Sequence, residues 1–116
     1  MKSIEYDRRL AVEYARQWAF RRNPVYYNFE KIGGDCTNFA SQCLFAGIGV
    51  MNYEKDIGWY YRSIDDRAAA WSGVEYFFNF LIGNQEGIGD GAGPFAETVE
   101  LNELQIGDFI DRKSVV

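Results

Sequence analysis

A chain of 116 residues with 47% hydrophobic residues, two prolines and a net charge of −5 has the apolar content for one modest core, which excludes a disordered chain. No apolar run approaches the roughly 18 residues of a membrane-spanning helix, and the acidic balance excludes an electrostatic footprint for nucleic acid or anionic lipid. Two cysteines without a single histidine leave no zinc-ligand set, so neither metal nor cofactor is expected.

The opening M-K-S-I-E-Y-D-R-R turns charged at once and has no apolar signal region, which leaves the compartment open. From Ser3 to about Arg22 the chain predicts an amphipathic helix. Ile4, Leu10, Ala11, Tyr14, Ala15, Trp18 and Ala19 recur at three and four, while Asp7, Arg8, Glu13, Arg16 and Gln17 fill the other face. Ser3 is the expected cap, with Arg21, Arg22 and Asn23-Pro24 as the stop.

An aromatic loop, P-V-Y-Y-N-F-E-K-I-G-G-D, follows and ends in a glycine pair ahead of Asp35, itself a suitable helix cap. The next helix starts at Cys36. Its expected inner face is Cys36, Phe39, Ala40, Cys43 and Leu44, its polar face Thr37, Asn38, Ser41 and Gln42, and Gly47 its C-cap. Seven residues of helix separate the two cysteines by about 10.5 Å, too far for a disulfide, so both thiols are expected free.

Residues 48–70 read as an irregular connector with a short strand at Trp59 to Arg62. Trp71, Val74, Phe77, Phe78 and Leu81 predict a third helix over Trp71 to Ile82, ended by Gly83-Asn84. The glycine-dense loop Gly87 to Pro94 is expected to be flexible; it lacks the flanking elements of a phosphate loop and the carboxylates of a calcium loop. Leu101 to Phe109 reads as a loop entering a strand at Phe109. The sheet for that strand is not in the sequence.

Cys36 is the residue with chemistry to offer. A thiol at a helix N-terminus ionises more readily because unsatisfied N–H groups and the macrodipole favour the thiolate, and the same N–H groups can receive the oxyanion of acyl transfer. Against this stands the common fate of free cysteine as a small core residue, which is the reading for Cys43. Asp35 is first a cap, Gln42 is expected to tie down loops through backbone hydrogen bonds, and Tyr26, Tyr27, Phe29, Trp59 and Trp71 are either groove walls or core.

The wording around Cys36, G-D-C-T-N-F-A-S-Q-C, resembles the motif that opens the central helix of papain-like cell-wall amidases and peptidases. More closely, the chain resembles the bacterial putative amidase domain family. The resemblance runs through Tyr6 to Tyr14, the N-P-x-Y-x-N-F loop at Asn23 to Phe29, Gly34 to Cys43, Trp71 to Phe80, and L-x-x-G-D-hydrophobic at Leu104 to Ile110. It implies an α+β, papain-like cysteine peptidase fold. Residues 1–116 would then be a single, incomplete domain covering mainly the helical half, three helices and the start of the sheet.

The resemblance implies Cys36 as nucleophile and a substrate contact for Asp35; beside them, Asn38 on the polar face and the aromatic Tyr27, Trp59 and Trp71 are the expected substrate-binding residues. That substrate would be a peptide or peptidoglycan-like amide, with no nucleic-acid or membrane partner, in a bacterial protein that is cytoplasmic or exported. It also implies a histidine base soon after G-D-hydrophobic, where this chain has Lys113, Ser114, Val115 and Val116. Two expectations remain. The chain is either a truncated thiol amidase, inactive as it stands, or a non-catalytic remnant that binds a partner or self-associates through exposed apolar surface.

Overall fold

The computed structural model describes residues 5–31 and 34–109. Its elements are α1 (Arg8–Trp18), α2 (Cys36–Ile48), β1 (Tyr61–Ser63), β2 (Asp66–Arg67), α3 (Ala69–Ser72) and α4 (Val74–Gly83), followed by a 3-10 turn at Leu101–Glu103. The architecture is α+β. Helices dominate, and β1 and β2 form a two-stranded antiparallel ribbon pairing Tyr61 with Arg67 and Ser63 with Asp66. Ser3 and Ile4, and the continuation of the strand expected from Phe109, lie outside the described residues.

The first helix is shorter than its periodicity predicts. Asp7 is its cap, accepting from the Leu10 N–H at 3.1 Å, so Tyr6 lies outside the helix. The reason is a close crossing. Asp7 N–H donates to the Gly47 carbonyl at 2.7 Å, and a Cβ at Gly47 would lie 2.5 Å from the Tyr6 ring and 2.8 Å from the Asp7 carbonyl oxygen. Gly47 is therefore a buried contact inside α2 and not its C-cap, a role taken by left-handed Gly49, whose N–H donates to Phe45 at 2.7 Å. At the other end, α1 stops at Trp18 and the chain turns back, laying the Arg21 guanidinium 4.9 Å from the Trp18 ring centre.

The second helix reverses the expected polarity. Cys43 and Leu44 are buried as anticipated, but so are Asn38, Ser41 and Gln42, the supposed polar face, while Cys36 is exposed. Buried polar groups are tolerable only when bonded, and each of these residues has a partner, Gln42 for its carbonyl end. Asn38 accepts from the Trp71 indole, Ser41 accepts from the Trp59 indole at 3.0 Å and donates to the Trp71 carbonyl at 2.9 Å, and Gln42 accepts from the Tyr14 hydroxyl.

Trp59 bridges to Asn52 just ahead of β1, so the expected strand lies one to two residues later than its aromatic signal. The third predicted helix is two. Gly73 adopts extended dihedrals (φ −109°, ψ 122°) between α3 and α4, which turns Trp71 inward on one segment and Phe77, Phe80 and Leu81 inward on the other. The core is a cluster of rings centred on Trp71, with Trp59 at 4.9 Å, Tyr26 and Tyr61 each at 5.8 Å, and Phe45 edge-on at 6.4 Å. Burying one such indole removes on the order of 200 Å², or roughly 5 kcal/mol of transfer free energy before entropy is counted.

The glycine-dense loop is strapped down, contrary to the flexibility its composition suggests. The Asn52 amide donates to the carbonyls of Ile88 and Ala92 at 2.8 and 2.9 Å. The Asn84 amide donates to those of Ala92 and Pro94 and accepts from the Ile88 N–H at 2.8 Å. Composition reports glycine freedom; these two buried asparagines remove it.

Candidate active site

Asp35 ends the aromatic loop, and Cys36 is the first helical residue after it. The Asp35 side chain makes no capping bond, which corrects the role its position suggests. Its carboxylate bonds the preceding loop, Arg22 and the Asn38 side chain instead. Oδ1 accepts from the Phe29 N–H at 3.0 Å and from Asn38 Nδ2 at 2.9 Å, and Oδ2 accepts from the Arg22 guanidinium at 2.8 Å. Partial burial pushes this carboxyl up, but the Asn38 and Phe29 hydrogen bonds and the Arg22 charge outweigh it and hold the pKa below the ordinary value. Arg22 also reaches Glu30 at 2.9 Å.

Because Asp35 bonds elsewhere, the first-turn amides of α2 receive no cap from it. Cys36 is exposed at the head of that turn. Asn38 fixes the turn from below: its Nδ2 donates both to Asp35 and to the Tyr27 carbonyl at 3.1 Å, while Oδ1 accepts from Trp71 Nε1 at 2.9 Å. The loop is clamped from its other side by the Tyr61 hydroxyl, which accepts from the Tyr27 N–H at 2.8 Å. Cys43 lies on the same helix in the core, where burial pushes its thiol up to about 12. The two sulfurs thus differ sharply in access.

The residues singled out in the sequence are therefore connected, but in unequal positions. Cys36 and Tyr27 are exposed and Asp35 is half-buried, so all three can meet a ligand. Asn38, Trp59 and Trp71 are 0% exposed. The two indoles are core pillars and not groove walls, because their ring faces pack on each other and their N–H groups bond Ser41 and Asn38. Sequence reading passed over Arg22, Tyr14 and Ser41. In the sequence the charge on Arg22 reads as part of a helix stop; only the return of the loop brings Glu30 and Asp35 to it.

Beside Asp35 lies a cleft of about 430 Å³, walled by Trp18, Phe20, Arg22, Phe39 and Gln42. A second cavity of similar volume, between Leu44, Ile48, Leu81, Phe95 and Phe109, touches neither Asp35 nor Cys36. Among the described residues no group of three or more Cys, Asp or Glu is placed to hold a metal ion.

The family model described as putative amidase domain matches residues 5–114. The chain is similar to an uncharacterized protein, YhbB, of Bacillus subtilis (strain 168), with 38% identity over 73 residues that cover 61% of this chain and 21% of that protein. The chain thus spans about a fifth of that relative's length. No solved structure matches.

Proposed function

The chain belongs to the putative amidase domain family, and from that membership we propose that it carries the nucleophile half of a thiol amide hydrolase, with Cys36 as the attacking group. One observation carries the reading: Cys36 is exposed at the first position of α2, while the neighbouring Asp35 carboxylate makes no bond to the first-turn amides and leaves them uncapped by it. A thiolate here would attack an amide carbonyl carbon and form the C–S bond. The oxyanion would rest on the first-turn N–H groups. Collapse breaks the C–N bond, the amine leaves with a proton, and water hydrolyses the thioester to carboxylic acid and free thiol.

The 116 residues contain no histidine, so an imidazole that takes the thiol proton would come from outside them. A papain-like arrangement, with α2 as the central helix, and peptidoglycan stem peptides as substrates fit this chemistry and belong to the same proposal.

Thiol alkylation tests it. With iodoacetamide at about neutral pH, peptide mapping should find Cys36 modified well before Cys43, and Cys36→Ala in the full-length protein should abolish amide hydrolysis. Equal, slow labelling of both thiols would support a non-catalytic binding module instead.

A further inference from the structure

Gln42 holds an unusual position. It is 5% exposed, yet its amide has only one protein partner among the described residues. Tyr14 determines which end of the amide that is. The Tyr14 oxygen accepts from Asn23 Nδ2 at 3.2 Å, which directs its own hydrogen onward, and that hydrogen goes to Gln42 Oε1. The carbonyl end of Gln42 is thereby fixed on Tyr14, and the NH₂ end points away from it. Among the described residues no buried side-chain nitrogen or oxygen is left both sealed and unbonded, so this NH₂ group retains an opening, and the cleft that Gln42 lines supplies one. A donor open to the cleft is satisfied by water or by a ligand acceptor that takes the water's place.

The charges around the cleft narrow what that acceptor can be. Arg22 is engaged by both Glu30 and Asp35, and Arg21 lies over the Trp18 ring with its Nε on the Gln17 carbonyl. Arg22 and both rim carboxylates are paired with one another, so no carboxylate is left for an ammonium group, while Arg21 is held on the Trp18 ring and has no carboxylate partner among the described residues. Beside these the cleft offers one amide donor between ring walls. Tyr14 packs at 6.2 Å from Phe39 and 6.3 Å from Trp18, and Phe20 at the rim is 100% exposed. A volume of about 430 Å³ lies within the usual range for ligand pockets, roughly 300–1,000 Å³.

We propose that this cleft is a subsite for an uncharged peptide segment, whose backbone carbonyl accepts from Gln42 Nε2 while its side chains lie against Trp18, Phe20 and Phe39. Asp35 at its edge directly precedes Cys36 in the chain, and Cys36 is not itself part of the cleft wall. The identity of the occupant as substrate rests on the amidase reading; the donor and its cleft do not. Tyr14 is a positioning residue that keeps the donor end of Gln42 outward.

The test is a titration of the ¹⁵N-labelled protein with N-acetyl-alanyl-alanine methylamide, following the Gln42 side-chain NH₂ resonances. Saturable shifts of those resonances, unchanged in Cys36→Ala, are expected. Gln42→Glu, which keeps the Tyr14 bond but replaces the donor by an acceptor, should weaken binding about tenfold or more. Shifts confined to other residues, wild-type affinity in a folded Gln42→Glu, or tighter binding of N-acetylglucosamine at the same resonances would each overturn the assignment. If Gln42→Glu does not fold, the wild-type resonances alone decide. Failure of the amidase reading appears separately, as unselective alkylation of the two thiols with the titration unaffected.

Discussion

The Trp71 indole N–H donates to Asn38 Oδ1 across 2.9 Å, and neither residue reaches solvent. Through Nδ2 the same asparagine holds the Tyr27 carbonyl and Asp35, so one amide joins the aromatic core to the turn that presents Cys36. Asn38→Ala strands a buried indole donor and a backbone carbonyl together. A loss of about 3 kcal/mol in urea unfolding is expected, with a change in tryptophan emission. A loss below about 1 kcal/mol would show that water replaces the amide.

Asp35 is expected to matter more for the loop than for the helix. Asp35→Ala removes the acceptor for Phe29 N–H, Asn38 and Arg22 and should cost about 1–3 kcal/mol, with faster hydrogen exchange at the Phe29 amide. Asp35→Asn retains an acceptor oxygen and should cost less. The native carboxyl has a depressed pKa, so its contribution is intact above the ordinary carboxylate value of about 3.9 and is lost as pH falls through the lower native one. Urea midpoints measured from about pH 5 downward should therefore fall more steeply in the wild type than in Asp35→Asn.

At the alkaline end the sign reverses. Burial pushes Tyr6 and Tyr14 from 10.0 up to about 12, and Cys43 from 9.0 up to about 12. Between those values the native state holds protons that the unfolded chain has released, so raising the pH favours unfolding. Stability should be level below about pH 9 and decline toward pH 12. Tyr14→Phe removes one of the three groups, and its urea midpoint should decline less over that window.

The two thiols should separate in stability as well as in labelling. Cys36→Ser changes an exposed side chain and should alter unfolding by no more than about 0.5 kcal/mol. Cys43→Ser puts a hydroxyl into a buried site and should cost about 1–3 kcal/mol.

Gly47→Ala tests the crossing of the N-terminal segment over α2. The added methyl meets the Tyr6 ring and the Asp7 carbonyl at distances no real Cβ adopts, so a loss of about 1–3 kcal/mol is expected although alanine is the better helix former. A neutral result would mean that residues 5–7 move aside without cost.

Much of the local structure was legible from residue order. The cap-ready Asp35 after a glycine pair places the start of α2 at Cys36, and the spacing of Phe77 and Leu81 predicts the helix they sit on. Free, unpaired thiols followed from helix rise alone. These are properties of neighbouring residues, because dihedral preference and apolar spacing act over a turn or two.

The direction in which α2 faces was decided only in three dimensions. Asn38, Ser41 and Gln42 read as a solvated stripe because the partners that make their burial tolerable are 33, 30 and 28 positions away in the chain. Likewise Trp59 and Trp71 became core, and the glycine loop became fixed, through contacts with Ser41, Asn38, Asn52 and Asn84 that no local pattern encodes. The order of residues determined where the sulfur begins its helix. Folding determined that it stays outside, because the cost of burying polar atoms is cancelled only by hydrogen-bond partners that tertiary structure brings within reach.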